Sequence, residues 1–121
     1  MTDDQLNEYM AVHVGGWKID EPPIGMGKRW ERKDRHIFMD DEKPDYLHDW
    51  NLMREVMERL EACGWGVNIT VCPDGIAVSM CRLELKDGSA DTLEVDLLPR
   101  IEMLPRAVCE QYHEAREKGW L

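Results

Sequence analysis

Residues 65–85, WGVNITVCPDGIAVSMCRLEL, decide the fold. Between Trp65 and Cys72 the apolar side chains Val67, Ile69 and Val71 recur at every second position, the period of a strand and not of a helix. Pro73-Asp74-Gly75 is a turn signal, and residues 76–85 resume an extended apolar pattern, so the stretch is predicted to be a β-hairpin. In its second strand apolar residues fill both phases, Ile76, Val78 and Met80 against Ala77, Cys81, Leu83 and Leu85, as in a sheet covered on both faces. Lys86-Asp87-Gly88-Ser89 then turns the chain, and residues 92–98 alternate again with Leu93, Val95 and Leu97 facing one way, which predicts a third, antiparallel strand.

Helical periodicity flanks the hairpin. Tyr46, Trp50, Met53, Met57 and Leu60 advance by four, three, four and three residues and line one face of a helix expected to begin near Asp45, after Pro44, and to stop at Gly64. The first helix is expected from Thr2 or Asp3 to His13: Thr2 caps it, Asp3 and Asp4 suit the positive end of its dipole, and Leu6, Tyr9, Met10 and His13 recur at helical spacing. Gly15 and Gly16 end it, and Trp17 pins that end to the core. The last helix starts near Pro105, turns Val108, Tyr112 and Ala115 inward, and stops at Gly119 ahead of Trp120-Leu121. Residues 19–43 form the irregular part, broken by Pro22, Pro23, Gly25 and Gly27, with HIFM at 36–39 either a short strand or a loop anchor. The expected fold is α+β: a small antiparallel sheet of three or four strands layered between helices, in the order α-loop-α-β-β-β-α, as one domain over residues 1–121.

Composition sets outer limits. Fifteen Lys+Arg against twenty-five Asp+Glu give a formal charge of -10, which opposes binding to duplex nucleic acid, whose affinity comes largely from neutralised phosphates. No apolar run approaches the roughly 20 residues of a membrane helix, and MTDDQLNEY lacks the basic and apolar regions of a signal peptide, so a cytoplasmic protein with no membrane partner is expected. Cys63, Cys72, Cys81 and Cys109 form no C-x-x-C pair and lie in or at the end of apolar segments, as reduced core thiols do. His13, His36, His48 and His113 have no shared ligand spacing, and no metal or cofactor is expected.

Three strings, in order, carry a family resemblance. MTDDQLNEYMAVHVGGWK at 1–18 is similar to an opening helix ending in Gly-Trp, here Gly16-Trp17. PDYLHDWNLMREVMERL at 44–60 is similar to a Pro-x-Tyr segment leading into a helix, here Pro44 and Tyr46. LPRAVCEQYHEA at 104–115 is similar to a final helix, with Leu104, Pro105, Ala107, Val108, Cys109 and Ala115 in matching places. Together they resemble the phage ABA sandwich domain family, small proteins of tailed phages and prophages named for a sheet between helices. The resemblance implies that fold and a phage setting, with no activity to carry over.

The candidate site is the basic stretch 28–36. Lys28, Arg29, Arg32, Lys33 and Arg35 against Glu31 and Asp34 give it +3, leaving ten basic and twenty-three acidic residues, or -13, elsewhere. Arginine forks hold phosphate oxygens and Trp30 offers a ring to a base, so these residues with Tyr46 are the expected contacts for a nucleotide-like anion. The competing expectation is a solvated charged loop paired with the acidic remainder. No catalytic residue is assigned: Asp45, His48 and Asp49 sit where helix caps do, Ser79 and Ser89 lie outside G-x-S-x-G, and Gly25-Met26-Gly27-Lys28 lacks P-loop spacing. The expectation is therefore a non-enzymatic phage accessory protein that sequesters a nucleotide-derived host signal. The alternatives are an acidic inhibitor of a host defence protein, and a homo-oligomeric assembly protein using Trp17, Trp65 and Trp120 at its interface.

Overall fold

The structure is a computed structural model. It describes residues 1–20, 27–33, 35–37, 43–83, 90–94 and 97–121. The expected turn at 86–89 and the strand positions Val95 and Asp96 lie outside the described residues, as do Phe38 and Met39. The element order is helix, three strands, helix, three strands and helix, an α+β architecture with two three-stranded antiparallel sheets. By its contacts the chain divides into two compact units, Met1–Asp45 and Tyr46–Leu121.

In the first unit α1 spans Asp3–His13. Thr2 is its N-cap, and Thr2 with Gln5 completes a capping box in which each side chain bonds the other's backbone N–H. Leu6, Asn7, Met10 and Ala11 form its buried row, and the Asn7 amide donates to the carbonyl of Pro44 at 2.8 Å. Trp17, buried, donates its backbone N–H to Ala11 and meets Trp30 edge to face at 6.4 Å, which is the anchoring its position after the glycines implies.

Part of the segment expected to be irregular is a sheet. Strands β1 (Lys18–Asp20), β2 (Arg29–Arg32) and β3 (Arg35–Ile37) pair antiparallel with β2 in the middle. KRWERKDR alternates at period two once charge is set aside. The backbone of Trp30 pairs in register with Ile19 and Ile37, and Trp30 shares a face with Ile19, while Lys18 opposes Glu31 and Asp20 opposes Arg29 on the other, so opposite charges fill the solvent side of that ladder. Lys33 begins the turn between β2 and β3 with φ of 51°, the sign that tight hairpin turns require.

The second unit is built on the predicted hairpin. Helix α2 spans Trp50–Ala62, so it begins five residues later than the spacing suggested. Asp49 is the reason: its carboxylate caps the backbone N–H groups of Asn51 and Leu52, and Tyr46 belongs to the turn before the helix. Met53, Val56 and Leu60 are buried, whereas Trp50, assigned to the same stripe, is 45% exposed at the first position of the helix. Gly64, with φ of 87°, takes the left-handed conformation that lets Trp65 turn back and donate to the Leu60 carbonyl.

Strands β4 (Gly66–Cys72), β5 (Gly75–Leu83) and β6 (Ala90–Glu94) follow with β5 central, and Leu98 continues the pairing through a bridge to Ile76. Gly75 is obligatory there, since a Cβ would collide with the Leu98 carbonyl oxygen. Ile76, Val78, Met80 and Leu93 are buried, while Ala77, Ser79 and Cys81 in the opposite phase are half-buried. Leu97 departs from the expected alternation and is exposed.

Helix α3 (Leu104–Glu117), entered through a short 3-10 turn at Ile101–Met103, packs with α2 and against the sheet. It buries Val108, Tyr112 and Ala115 as the spacing predicts, and Cys109 and Gln111 besides. Of the four cysteines, all free thiols, only Cys109 is buried, donating to the Tyr46 carbonyl at 3.3 Å. Cys63 is exposed because it caps the solvent end of α2, which corrects its assignment to the core.

Candidate functional site

Lys28 ion-pairs with Glu8 of α1. Arg29 reaches Asp20 at 3.2 Å and Glu31 at 3.7 Å, both partly exposed pairs of little net energy. Arg32 donates to the Gly15 carbonyl at 3.2 Å and lies 4.8 Å over the Trp17 ring, so it ties the hairpin to the end of α1. Lys33 is exposed at the turn, and the Arg35 side chain lies outside what the structure describes.

The two aromatic contacts need correction. Trp30 is 1% exposed and packed edge-on against Trp17, which leaves it no free face for a base. Tyr46 is fully buried in the second unit, its hydroxyl 3.4 Å from a Glu55 carboxylate oxygen, so no part of its ring is open to a ligand. Trp30 and Tyr46, like Trp17, are among the largest apolar groups available to small units, and the core takes them.

A different set of residues borders a shallow concavity that is open to solvent. The face of α1 next to its buried row carries Gln5, Glu8, Tyr9, Val12 and His13, spaced by three, one, three and one residues. Ile19 of β1 and Lys28, just before β2, stand across from them, and the seven together line a concavity of about 460 Å³. Tyr9 and His13, which recur with Leu6 and Met10 at helical spacing, are half-buried at this rim, their rings 4.3 Å apart and tilted by 49°. Among the described residues, Lys28 is the one expected site residue that lies here.

The volume falls within the range of small-molecule sites. Val12 and Ile19 supply apolar wall, Tyr9 and His13 supply ring faces, and Gln5, Glu8 and Lys28 supply hydrogen-bonding groups. Such a lining suits a planar, partly polar molecule whose anionic group is held by Lys28, with Glu8 setting how much of that charge the ligand sees. One signal for it was present in the sequence: Tyr9, Val12 and His13 form a second, semi-apolar row on a helix whose first row already accounts for the core. Among the described residues no three His, Cys, Asp or Glu side chains converge as a metal site, and no helix is long and apolar enough to cross a membrane. Comparison with protein-family models, with curated proteins and with solved structures finds no match to this chain.

Proposed function

We propose that this chain is a non-enzymatic accessory protein of a phage that binds a nucleotide-derived signal of the infected cell, stoichiometrically and in its cytoplasm, and thereby withholds it from host defence. The concavity between α1, β1 and Lys28 carries the binding part of this reading. The setting rests on the resemblance to the phage ABA sandwich domain family. In this reading Tyr9, and not Trp30, offers the ring on which a base lies, while Lys28 takes the phosphate charge and Arg29 and Arg32 hold the hairpin in shape.

Calorimetric titration with cyclic dinucleotides and ADP-ribose derivatives tests it. The expected result is saturable binding of one of them, with the ligand recovered chemically intact. Lys28→Ala and Tyr9→Ala should each weaken binding. Glu8→Gln should strengthen it roughly five-fold, because removing one negative charge about 4 Å from the anion is worth about 1 kcal/mol near water. Absence of heat with every member of the panel, or binding that none of these three variants alters, would refute the proposal.

A further inference from the structure

Strand β4 is an edge strand, since among the described residues only β5 pairs with it. Natural edge strands are usually blunted by charge, proline or a bulge. The β4 sequence GVNITVC has none of the first two, in a chain whose residues are 33% charged, and its pairing with β5 runs without interruption from Gly66↔Cys81 to Cys72↔Gly75.

The register also fixes which main-chain groups face outward. Ile76 gives its N–H and takes its carbonyl bond from Leu98, on the side of β5 away from β4, so Val71, which stands opposite Ile76, is in a non-hydrogen-bonded pair. Alternation along the ladder then directs the N–H and C=O groups of Val67, Ile69 and Val71 to the open edge, and those of Asn68 and Thr70 to β5. The side chains of Ile69 and Val71 are 39% and 77% exposed. Leu97, whose Cγ would touch a Cβ at Gly75, adds a third exposed apolar group at the same end of the hairpin.

We propose that this edge docks a second copy of the chain, β4 against β4, antiparallel about a two-fold axis at Ile69. In that register Ile69 faces its own symmetry mate and Val67 faces the mate of Val71, each pair exchanging both main-chain hydrogen bonds. The apolar side chains meet on one face, and Asn68 meets the mate of Thr70 on the other. The two three-stranded sheets become one continuous sheet. A second copy is the occupant that the pattern favours, because the strand is palindromic in chemistry: apolar, polar, apolar, polar, apolar about its centre. Charge agrees, since two chains of -10 approach most easily where neither carries any. A seven-residue edge covers less than the roughly 800 Å² per partner of a standard interface, so the dimer is weak and concentration-dependent.

Sedimentation velocity of the full chain from micromolar to millimolar concentration tests the proposal, together with residue-resolved amide exchange. A monomer-to-dimer shift is expected, strengthened by added salt as repulsion between the acidic chains is screened. On dimerisation the amides of Val67, Ile69 and Val71 should slow roughly ten-fold while those of Asn68 and Thr70 stay protected throughout. Ile69→Pro removes an outward N–H that β5 does not use, and Val71→Lys puts charge on an exposed position, so each should keep the monomer fold and abolish the shift. A monomer at every concentration and salt, a dimer that both variants leave intact, or protection appearing on another element would overturn the proposal, as would salt weakening the association.

Discussion

Gln111 extends from α3 with its amide nitrogen shared between the carbonyl oxygens of Val78 and Leu93, at 3.3 and 3.4 Å, while its own carbonyl oxygen is buried without a hydrogen-bond partner among the described residues. It is 1% exposed, so the donor it brings to the two strands cannot be replaced readily by water. Gln111→Leu is expected to lower stability by about 1–3 kcal/mol, and Gln111→Glu by more, since a carboxylate would face two carbonyl oxygens in a buried site. Chemical denaturation of both variants checks the order, and a Glu variant as stable as the Leu variant would contradict it. Nothing in the sequence marks Gln111, since a polar residue beside Val108 and Tyr112 on a helix face reads as solvent-facing until the neighbouring strands are placed. The same holds for Trp30, whose inward face shows only once Ile19 across the ladder and the Trp17 ring are placed against it. Lys28 was legible as a candidate because its charge is local information, whereas its partner Glu8 lies 20 residues away in the chain.

At the scale of elements, the helix ends were the most legible features. A glycine followed by tryptophan closes α1, α2 and α3 alike, and Trp65 and Trp120 each donate a backbone N–H to the carbonyl five residues before, at 2.9 Å. The two rings then stack, with centroids 5.6 Å apart and planes 22° from parallel, the Arg82 guanidinium lying over Trp65 and the Lys118 ammonium over Trp120. Arg82 also donates to the Trp120 carbonyl at 2.9 Å, so the chain end is fastened to β5. Trp120→Ala should therefore destabilise the protein by about 1–2 kcal/mol, through one lost stacked pair and one cation contact beyond the area exposed. Thermal unfolding measures it, and an unchanged midpoint would mean that the stack is incidental. Strands β2 and β3 were illegible for the opposite reason. Their alternation is written in charge and a single Trp, and a hydrophobicity pattern over four residues cannot separate a strand from an anchor. The start of α2 was missed because Asp45 and Asp49 are equally good caps in sequence, and only the buried turn at Tyr46 selects the second.

For the whole molecule, the two units differ in the means each has to fold. Residues 46–121 contain two helices of 13 and 14 residues and a three-stranded sheet. Their buried set includes Tyr46, Met53, Val56, Leu60, Trp65, Ile76, Val78, Met80, Leu93, Val108 and Tyr112. Among the described residues, 1–45 have one helix of 11 residues, three strands of three or four residues, and Leu6, Met10, Ala11, Trp17 and Trp30 as buried apolar groups. A chain of about 40 residues without disulfide or metal sits at the lower limit for folding alone, whereas one of 70–80 residues can hold roughly 3–5 kcal/mol. A fragment of residues 46–121 is therefore expected to fold by itself and unfold cooperatively, while a fragment of residues 1–45 is expected to show the far-ultraviolet circular dichroism of an unfolded chain. Gradual, non-cooperative denaturant unfolding of the first fragment, or a cooperative transition in the second, would contradict this assignment. Truncation to residues 46–121 removes the concavity, whose described lining lies within residues 5–28, and leaves the β4 edge in place, so the same fragment separates the two binding proposals. It should lose ligand heat and retain salt-strengthened dimerisation.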